Sequence, residues 1–440
     1  MKKQLLTAAI LCCLVIAGST AAPKSAKKKP KIPVSRVQTH MDGYLGDRID
    51  ACIRVRVCSE DPDLLVAPMR RQTETSLWQS EFWGKWTLGA IASYRYNKDP
   101  ELLRKIEGGV ESLLAAQQPD GYIGNYAPEA QLTNWDVWGR KYTMLGLLAY
   151  YDLTGDKKAL DGAVRLADHL LTQIPAVRQI ERTGIYRGMS SCSILEPIML
   201  LYNRTLDEKY LDFARYIVDR MESADGPQLI AKALDGVPVS ERFPLDDPSR
   251  GWFVWENGQK AYEMMSCYDG LLELYKVTND PRYLKAVEAT VTSIIADEIN
   301  IAGSGSSFEC FYKGKALQTE PAYHTMETCV TMTWMKLCYD LLRLTRNPLY
   351  ADQIERSAYN ALAASMKEDA SQIAKYSPLE GARSAGEEQC GMHVNCCNMN
   401  GPRAFALLPE AAVTDYGDEL FVNLYGPMSV SYTHLTLPTT

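Results

Sequence analysis

The sequence predicts an all-α fold, a toroid of paired helices of the (α/α)6 type, followed by the truncated start of a β-sandwich domain. Three observations lead there. Five times, a long apolar stretch ends in a short polar turn and a second, amphipathic stretch follows. Incoming stretches such as KYTMLGLLAYY and SCSILEPIMLLY are apolar nearly all round, whereas AVRLADHLL and YLKAVEATVTSII carry one apolar face. That contrast is expected of an enclosed inner ring and an outer ring with one side in water. The run DELFVNLYGPMSVSY (418–432) then alternates with the period of a strand.

The hairpin turns follow in chain order: YRYNKDPELL (94–103), YDLTGDKKAL (151–160), YNRTLDEKYL (202–211), YKVTNDPRYL (275–284) and LTRNPLYADQI (344–354). Each places an Asp or Asn (Asp99, Asp156, Asp207, Asp280, Asn347) before Pro or a charged first turn. A side-chain oxygen there can accept from an N–H that the first helical turn leaves unpaired. The intervals between turns are too irregular for a tight solenoid, and fit hairpins around a ring with insertions between them. A sixth hairpin is expected from residues 36–60 or from 399–413. The ring should occupy residues 40–415 and the sandwich start 416–430.

The ends read differently. Lys2 and Lys3 precede an apolar run over 5–17 and the small residues Ser19 to Ala22, the pattern of a signal peptide over 1–22. A basic tether (23–39) follows, and the protein is expected in the periplasm or outside the cell. No other run reaches the roughly 18 apolar residues of a membrane span. The tail SYTHLTLPTT (431–440) fits neither helix nor strand and reads as non-native, so His434 is set aside and the chain is expected to be a fragment. A net charge of −7 gives no attraction for phosphate backbones, and nucleic acid is not an expected partner.

Segments expected as loops between hairpins are rich in aromatic residues: LWQSEFWGKW (77–86), PDGYIGNY (119–126), NWDVWGRKY (134–142) and RGWFVWENGQK (250–260). Flat rings interleaved with Asp, Glu, Asn and Lys suit sugars, whose faces are apolar and whose edges need hydrogen bonds. An oligo- or polysaccharide partner is therefore expected. Taken singly, each tryptophan is better explained as a cap on the core, and it is their clustering at loop positions that points to sugar.

The stretch HVNCCNMN (393–400) holds adjacent cysteines, Cys396 and Cys397. They cannot easily pair with each other, because a disulfide wants Cα atoms about 5.5 Å apart and neighbours sit about 3.8 Å apart. Cys12 and Cys13 would leave with the leader, and Cys267 and Cys338 lie in helical apolar patterns where thiols act as small hydrophobes. Cys52 and Cys58 suit either a local disulfide or two free thiols. A second segment, YHTMETCVTMTWMKLCYDLLRL (323–344), puts Glu327 and Cys329 at the start of an inner helix. With Cys396 and Cys397 they make three thiolates and one carboxylate, a donor set for Zn²⁺. Bound thiolates would be shielded from oxidation. E-x-C and C-C are not standard zinc spacings, so buried structural cysteines stand as the alternative.

ETC (327–329) followed by CC (396–397) resembles glycoside hydrolase family 127, the β-L-arabinofuranosidase type. SEFWGKW, DGYIGNY, GLLAYYDLTGDKKAL and NGQKAYEMMSCYDGLLELY are similar to that superfamily, and the resemblance covers residues 40–430. It implies an (α/α)6 catalytic barrel followed by β-sandwich domains, and a retaining, exo-acting glycosidase for plant-type glycans. Cys396 would be the nucleophile, and Zn²⁺ would be held by Glu327, Cys329, Cys396 and Cys397. Glu309, in GSGSSFECFYKGK, would be the acid/base, with Glu320 a second candidate. Retaining hydrolysis sets such a pair roughly 5 Å apart, and its acid step calls for a raised carboxyl pKa. Three sugar-contacting histidines of the family are replaced here by Trp135, a residue near Ser191, and Lys260. These departures leave the β-L-arabinofuranosidase-like reaction type in place and the sugar itself open: a lysine and a tryptophan would suit a different pentose, a deoxyhexose or a carboxylated sugar. Trp135, Lys260 and His393 are expected at the substrate, and His324 also flanks the metal motif. Two other classes stay open: a polysaccharide lyase or unsaturated-uronide hydrolase on the same ring, and a non-catalytic glycan-binding protein with structural zinc.

Overall fold

The computed structural model describes residues 37–432 except 245–248, 250–258, 321–322, 387 and 418. The expected signal peptide, most of the tether, His434 and most of RGWFVWENGQK lie outside the described residues. The chain enters along strand β1 (Val37–Met41) and helices α1 (Gly43–Cys52) and α2 (Pro62–Arg71). Five hairpins follow among the described residues. They are α3 (Ser80–Asn97) with α4 (Pro100–Ala115), α5 (Asp136–Thr154) with α6 (Lys157–Gln173), and α7 (Leu195–Thr205) with α8 (Glu208–Met221). The last two are α9 (Ala261–Thr278) with α10 (Pro281–Asp297), and α11 (Thr328–Thr345) with α12 (Pro348–Ser357). A final long helix, α13 (Cys396–Ala412), completes the set.

Packing closes the ring: α3 lies on α5, α5 on α7, α7 on α9, α9 on α11, α11 on α13, and α13 returns to α3. The sixth pair is split between the two places the sequence offered. Its inner helix is α13 and its outer neighbour is α1, so the beginning and the end of the ring share one hairpin's place. The inner helices are buried on nearly every side, as α9 shows from Ala261 to Leu274. The outer helices bury a single stripe, which in α6 is Ala159, Ala163, Leu166, Ala167 and Leu170.

The five turns share one construction. One residue beyond each inner helix takes a left-handed backbone (Lys98, Gly155, Leu206, Asn279, Arg346), and the next caps the outer helix. Asp99, Asp156, Asp207, Asp280 and Asn347 each accept from the N–H two residues on. Close approach of inner helices is fixed at Gly84, where a Cβ would stand 2.3 Å from the Tyr142 carbonyl oxygen.

The run at 418–432 forms two short strands. β4 (Val413–Asp415) pairs antiparallel with β5 (Leu420–Val422), and β6 (Met428–Tyr432) pairs with β1 in the register Val37↔Tyr432. These boundaries differ from expectation. Residues 37–39 of the expected tether and 431–432 of the expected tail belong to a two-stranded pair, because each supplies the other's backbone partners. Cys52 and Cys58 are free thiols, so the local disulfide is not formed. No helix among the described residues is long and apolar enough to cross a membrane.

Asp156 accepts from Lys158 N–H at 2.9 Å. Replacing Asp156 with Ala should lower unfolding free energy by about 1 kcal/mol in urea titration, with Asp156→Asn close to the parent.

Candidate active site

The N-terminal ends of the inner helices meet at one mouth of the ring, and the site is built there. Glu327 is the N-cap residue of α11 and Cys329 lies in its first turn. Cys396 and Cys397 open α13, capped by Asn395, whose side chain accepts from Asn398 N–H. Because α11 packs on α13, the two first turns face each other. Cys397 Sγ lies 3.3 Å from Cys329 Sγ, 3.8 Å from Cys396 Sγ and 3.6 Å from Glu327 Oε1. Cys396 Sγ is 3.8 Å from Glu327 Oε1. All four ligand atoms fall within 4.8 Å of one another, and all four residues are buried.

The set fits a zinc ion. Zn–S bonds of about 2.3 Å in a tetrahedron give ligand separations of about 3.7 Å, close to those observed. The second carboxylate oxygen, Glu327 Oε2, is buried without a hydrogen-bond partner among the described residues. A buried carboxylate lacking a partner is costly, and a cation would satisfy it. Burial, and then the charges of Glu309 and Cys396, push the Glu327 carboxyl well up. Burial pushes the Cys329 and Cys397 thiols up as well. Cys396 goes the other way: thiol hydrogen bonds from Cys329 and Cys397 hold it well down against burial, and Lys85 and Lys375 help. Its place in the first turn of α13 also favours an anion.

Glu309 stands beside this set on separate scaffolding. Strands β2 (Gln259–Lys260) and β3 (Cys310–Phe311) pair so that Lys260 lies opposite Cys310. This brings Lys260 Nζ to 2.8 Å from Glu309 Oε2. Residues 374–377 hydrogen-bond along 325–328, with Thr328 N–H donating to Lys375 O and Ser377 N–H to Thr325 O. That ladder presents Lys375 Nζ at 3.2 Å and Tyr376 Oη at 3.0 Å from Glu309 Oε1. Burial raises the Glu309 carboxyl, but the two lysine cations and the Lys260 and Tyr376 hydrogen bonds outweigh it and hold it far below the usual range. The raised pKa that the acid step calls for is therefore absent: the resting group is a carboxylate. Phe308, Glu309, His324 and Met326 have φ of 48°, 66°, 54° and 53°, left-handed values that side chains rarely adopt. Clusters of such strain are typical of functional sites.

A model of the GH127 catalytic domain of β-L-arabinofuranosidase matches residues 38–410. The chain belongs to this family. A curated relative from Bifidobacterium longum subsp. longum, a non-reducing end β-L-arabinofuranosidase, is 22% identical over 322 residues. That match covers 67% of this chain and 47% of the relative, so the chain spans about half the relative's length. The crystal structure of a GH127 β-L-arabinofuranosidase from Geobacillus stearothermophilus T6 is similar with TM-score 0.66 at 21% identity, covering 89% of this chain and 68% of that one. A family 88 glycosyl hydrolase from Bacteroides vulgatus shares the fold more loosely, with TM-score 0.55 at 12% identity over 83% of this chain and 97% of that one.

Other residues singled out in this GH127 sequence fall in varied places. Trp135 sits half-buried in a cluster with Trp78, Trp138 and Tyr186, at centroid distances of 5.6, 5.7 and 5.8 Å. Tyr186 in turn lies under Lys260 Nζ, 4.8 Å from the ring centroid. Lys260 is buried, and its ammonium is paired with Glu309. His393 turns to Glu60, with Nε2 2.7 Å from Oε1. His324 packs against Phe308 and Tyr376 beside Glu309. Glu320 is exposed. Ser191 is buried and donates to the Thr183 carbonyl at 2.9 Å. The aromatic segments are less loop-like than expected: 80–86 and 136–142 are helix, and Trp83, Trp86 and Trp138 are core. Sequence reasoning missed Lys375 and Tyr376, which belong to no motif. It also missed Lys85 and Glu81, whose i,i+4 spacing within SEFWGKW was a legible signal.

Glu309→Gln should destabilise the fold at pH 7, because Lys260 is then buried without its counter-charge. A carboxyl held low in the folded state binds fewer protons folded than unfolded, so its contribution is full above about pH 4.3 and declines below it. Urea titrations of parent and variant should therefore differ most at neutral pH, with the difference beginning to shrink only below about pH 4.3 and a part of it still present at about pH 3.

Proposed function

We propose that this GH127 chain is the catalytic ring of a secreted or periplasmic, retaining, exo-acting glycoside hydrolase acting on plant-type glycans, β-L-arabinofuranosidase-like in reaction. The reading is carried by one observation: a buried Glu–Cys₃ set lies beside a carboxylate clamped by two lysines and a tyrosine.

Glu327, Cys329, Cys396 and Cys397 would hold the zinc, which when bound supplies Lewis acidity that stabilises thiolate sulfur. Cys396 Sγ attacks the anomeric carbon, and the carbon–oxygen bond to the leaving alcohol breaks with its electron pair going to oxygen. Glu309 gives that oxygen a proton. In the second half Glu309 takes a proton from water, the water oxygen bonds to the anomeric carbon, and the sulfur departs with the bonding pair as thiolate. Resting Glu309 is ready for that second half. For the first it must carry a proton, the one that the water of a preceding turnover left on it or one taken up from solvent, and holding it requires the clamp to loosen. Lys375 is the more exposed of the two lysines, 15% against 2%, and is the one that an arriving sugar can draw away. Trp78, Trp135 and Tyr186 offer half-buried rings for a sugar's apolar face.

A non-catalytic protein with structural zinc would need the four ligands alone. It leaves unexplained the strained, doubly clamped Glu309, and the catalytic reading is preferred on that ground. Glu309→Gln should lower release of the terminal sugar from a panel of pentosides, deoxyhexosides and uronides by about 10²–10⁴-fold. Cys396→Ser should cost at least as much, with circular dichroism of both variants unchanged. Full turnover in both would overturn the assignment.

A further inference from the structure

Lys85 lies in the second turn of α3 and is 1% exposed. Its Nζ stands 4.0 Å from Cys329 Sγ and 2.9 Å from Glu81 Oε1, one helical turn back. Glu81 is in turn fixed by Trp138, whose indole N–H donates to Oε2. The ammonium also sits over two buried rings, 5.3 Å from the centroid of Tyr142 and 4.9 Å from that of Tyr262. Those tyrosines are hydrogen-bonded to each other through their hydroxyls, and Asn400 Nδ2 donates to Tyr262 Oη at 3.3 Å. These contacts together hold one cation at a fixed point beside Cys329 Sγ.

Charge accounting gives the reason. A divalent cation bound by three thiolates and one carboxylate leaves two negative charges in a buried place. Uncompensated buried charge is expensive. Lys375 approaches the set beside Glu309, and Lys85 approaches it at Cys329. The order Trp138, Glu81, Lys85, sulfur parallels the outer partners that orient metal ligands elsewhere. We infer that Lys85 is a positioning residue whose fixed positive charge, aimed by Glu81, stabilises the thiolates of the Glu327–Cys329–Cys396–Cys397 set and so sets the affinity of that set for zinc. The inference rests on the metal reading given above.

The test is zinc affinity, measured by competition with a chromophoric chelator on the full chain and on Lys85→Met and Lys85→Arg. Alkylation rates of the zinc-loaded thiols and melting with and without added zinc are followed alongside. Loss of an outer partner typically costs about 10–100-fold in metal affinity. Lys85→Met should weaken zinc binding by that factor and speed thiol alkylation, while Lys85→Arg, which keeps the charge, should recover most of both. If Lys85→Met does not fold, Lys85→Gln, which keeps a donor for Glu81, takes its place with the same expectations. A parent that binds zinc together with a neutral variant that binds it equally well overturns the role of Lys85 and leaves the metal reading intact. So does an Arg variant as weak as the neutral one. A parent that binds no zinc overturns both.

Discussion

Three thiols and a carboxyl gathered within one small buried volume cannot all shed their protons unless a cation joins them. Much of the structure around the ring mouth answers to that constraint. The first turns of α11 and α13 point their N-termini at the cluster, which favours anions there. Lys85 lies beside Cys329 and Lys375 beside Glu309, and the buried Glu327 Oε2 has no hydrogen-bond partner among the described residues. A ring of hairpins built for shape alone would have no reason to bury these groups together.

Ring closure is what brings them together. Cys329 and the Cys396–Cys397 pair are far apart in sequence, and Lys85 is farther still. They meet because α13 packs between α11 and α3, completing the circle that α3 began. Glu309 arrives by another route, on the β2–β3 pairing and the strand-like run from 374 to 377. The metal-type set and the carboxylate thus sit on different supports, rigid helices for one and strained loops for the other. That division suits a site in which the sulfurs must hold still while Glu309 changes its protonation state.

Much of this was legible in the sequence, and the reasons are local. An Asp or Asn before Pro or a charged turn marks an N-cap wherever it occurs, so the five hairpins could be read one at a time. ETC and CC could be read because their chemistry is unusual in itself. The placement of the sixth pair was not legible, since joining α1 to α13 depends on closure of the whole ring. The aromatic segments misled for a related reason: Trp83, Trp86 and Trp138 look like loop aromatics by composition, yet inner helices of a ring are apolar on all sides and absorb them. Lys375 and Tyr376 carry no pattern, because their role comes from pairing with residues 325–328. His393 could be placed near the site by number, but its partner Glu60 comes from the other end of the chain.

The most direct measurement is X-ray absorption at the zinc edge of the purified protein. The account predicts a single zinc whose nearest shell holds three sulfurs at about 2.3 Å and one oxygen at about 2.0–2.2 Å. A shell of nitrogen and oxygen alone, or a folded chain with no zinc edge at all, would contradict it.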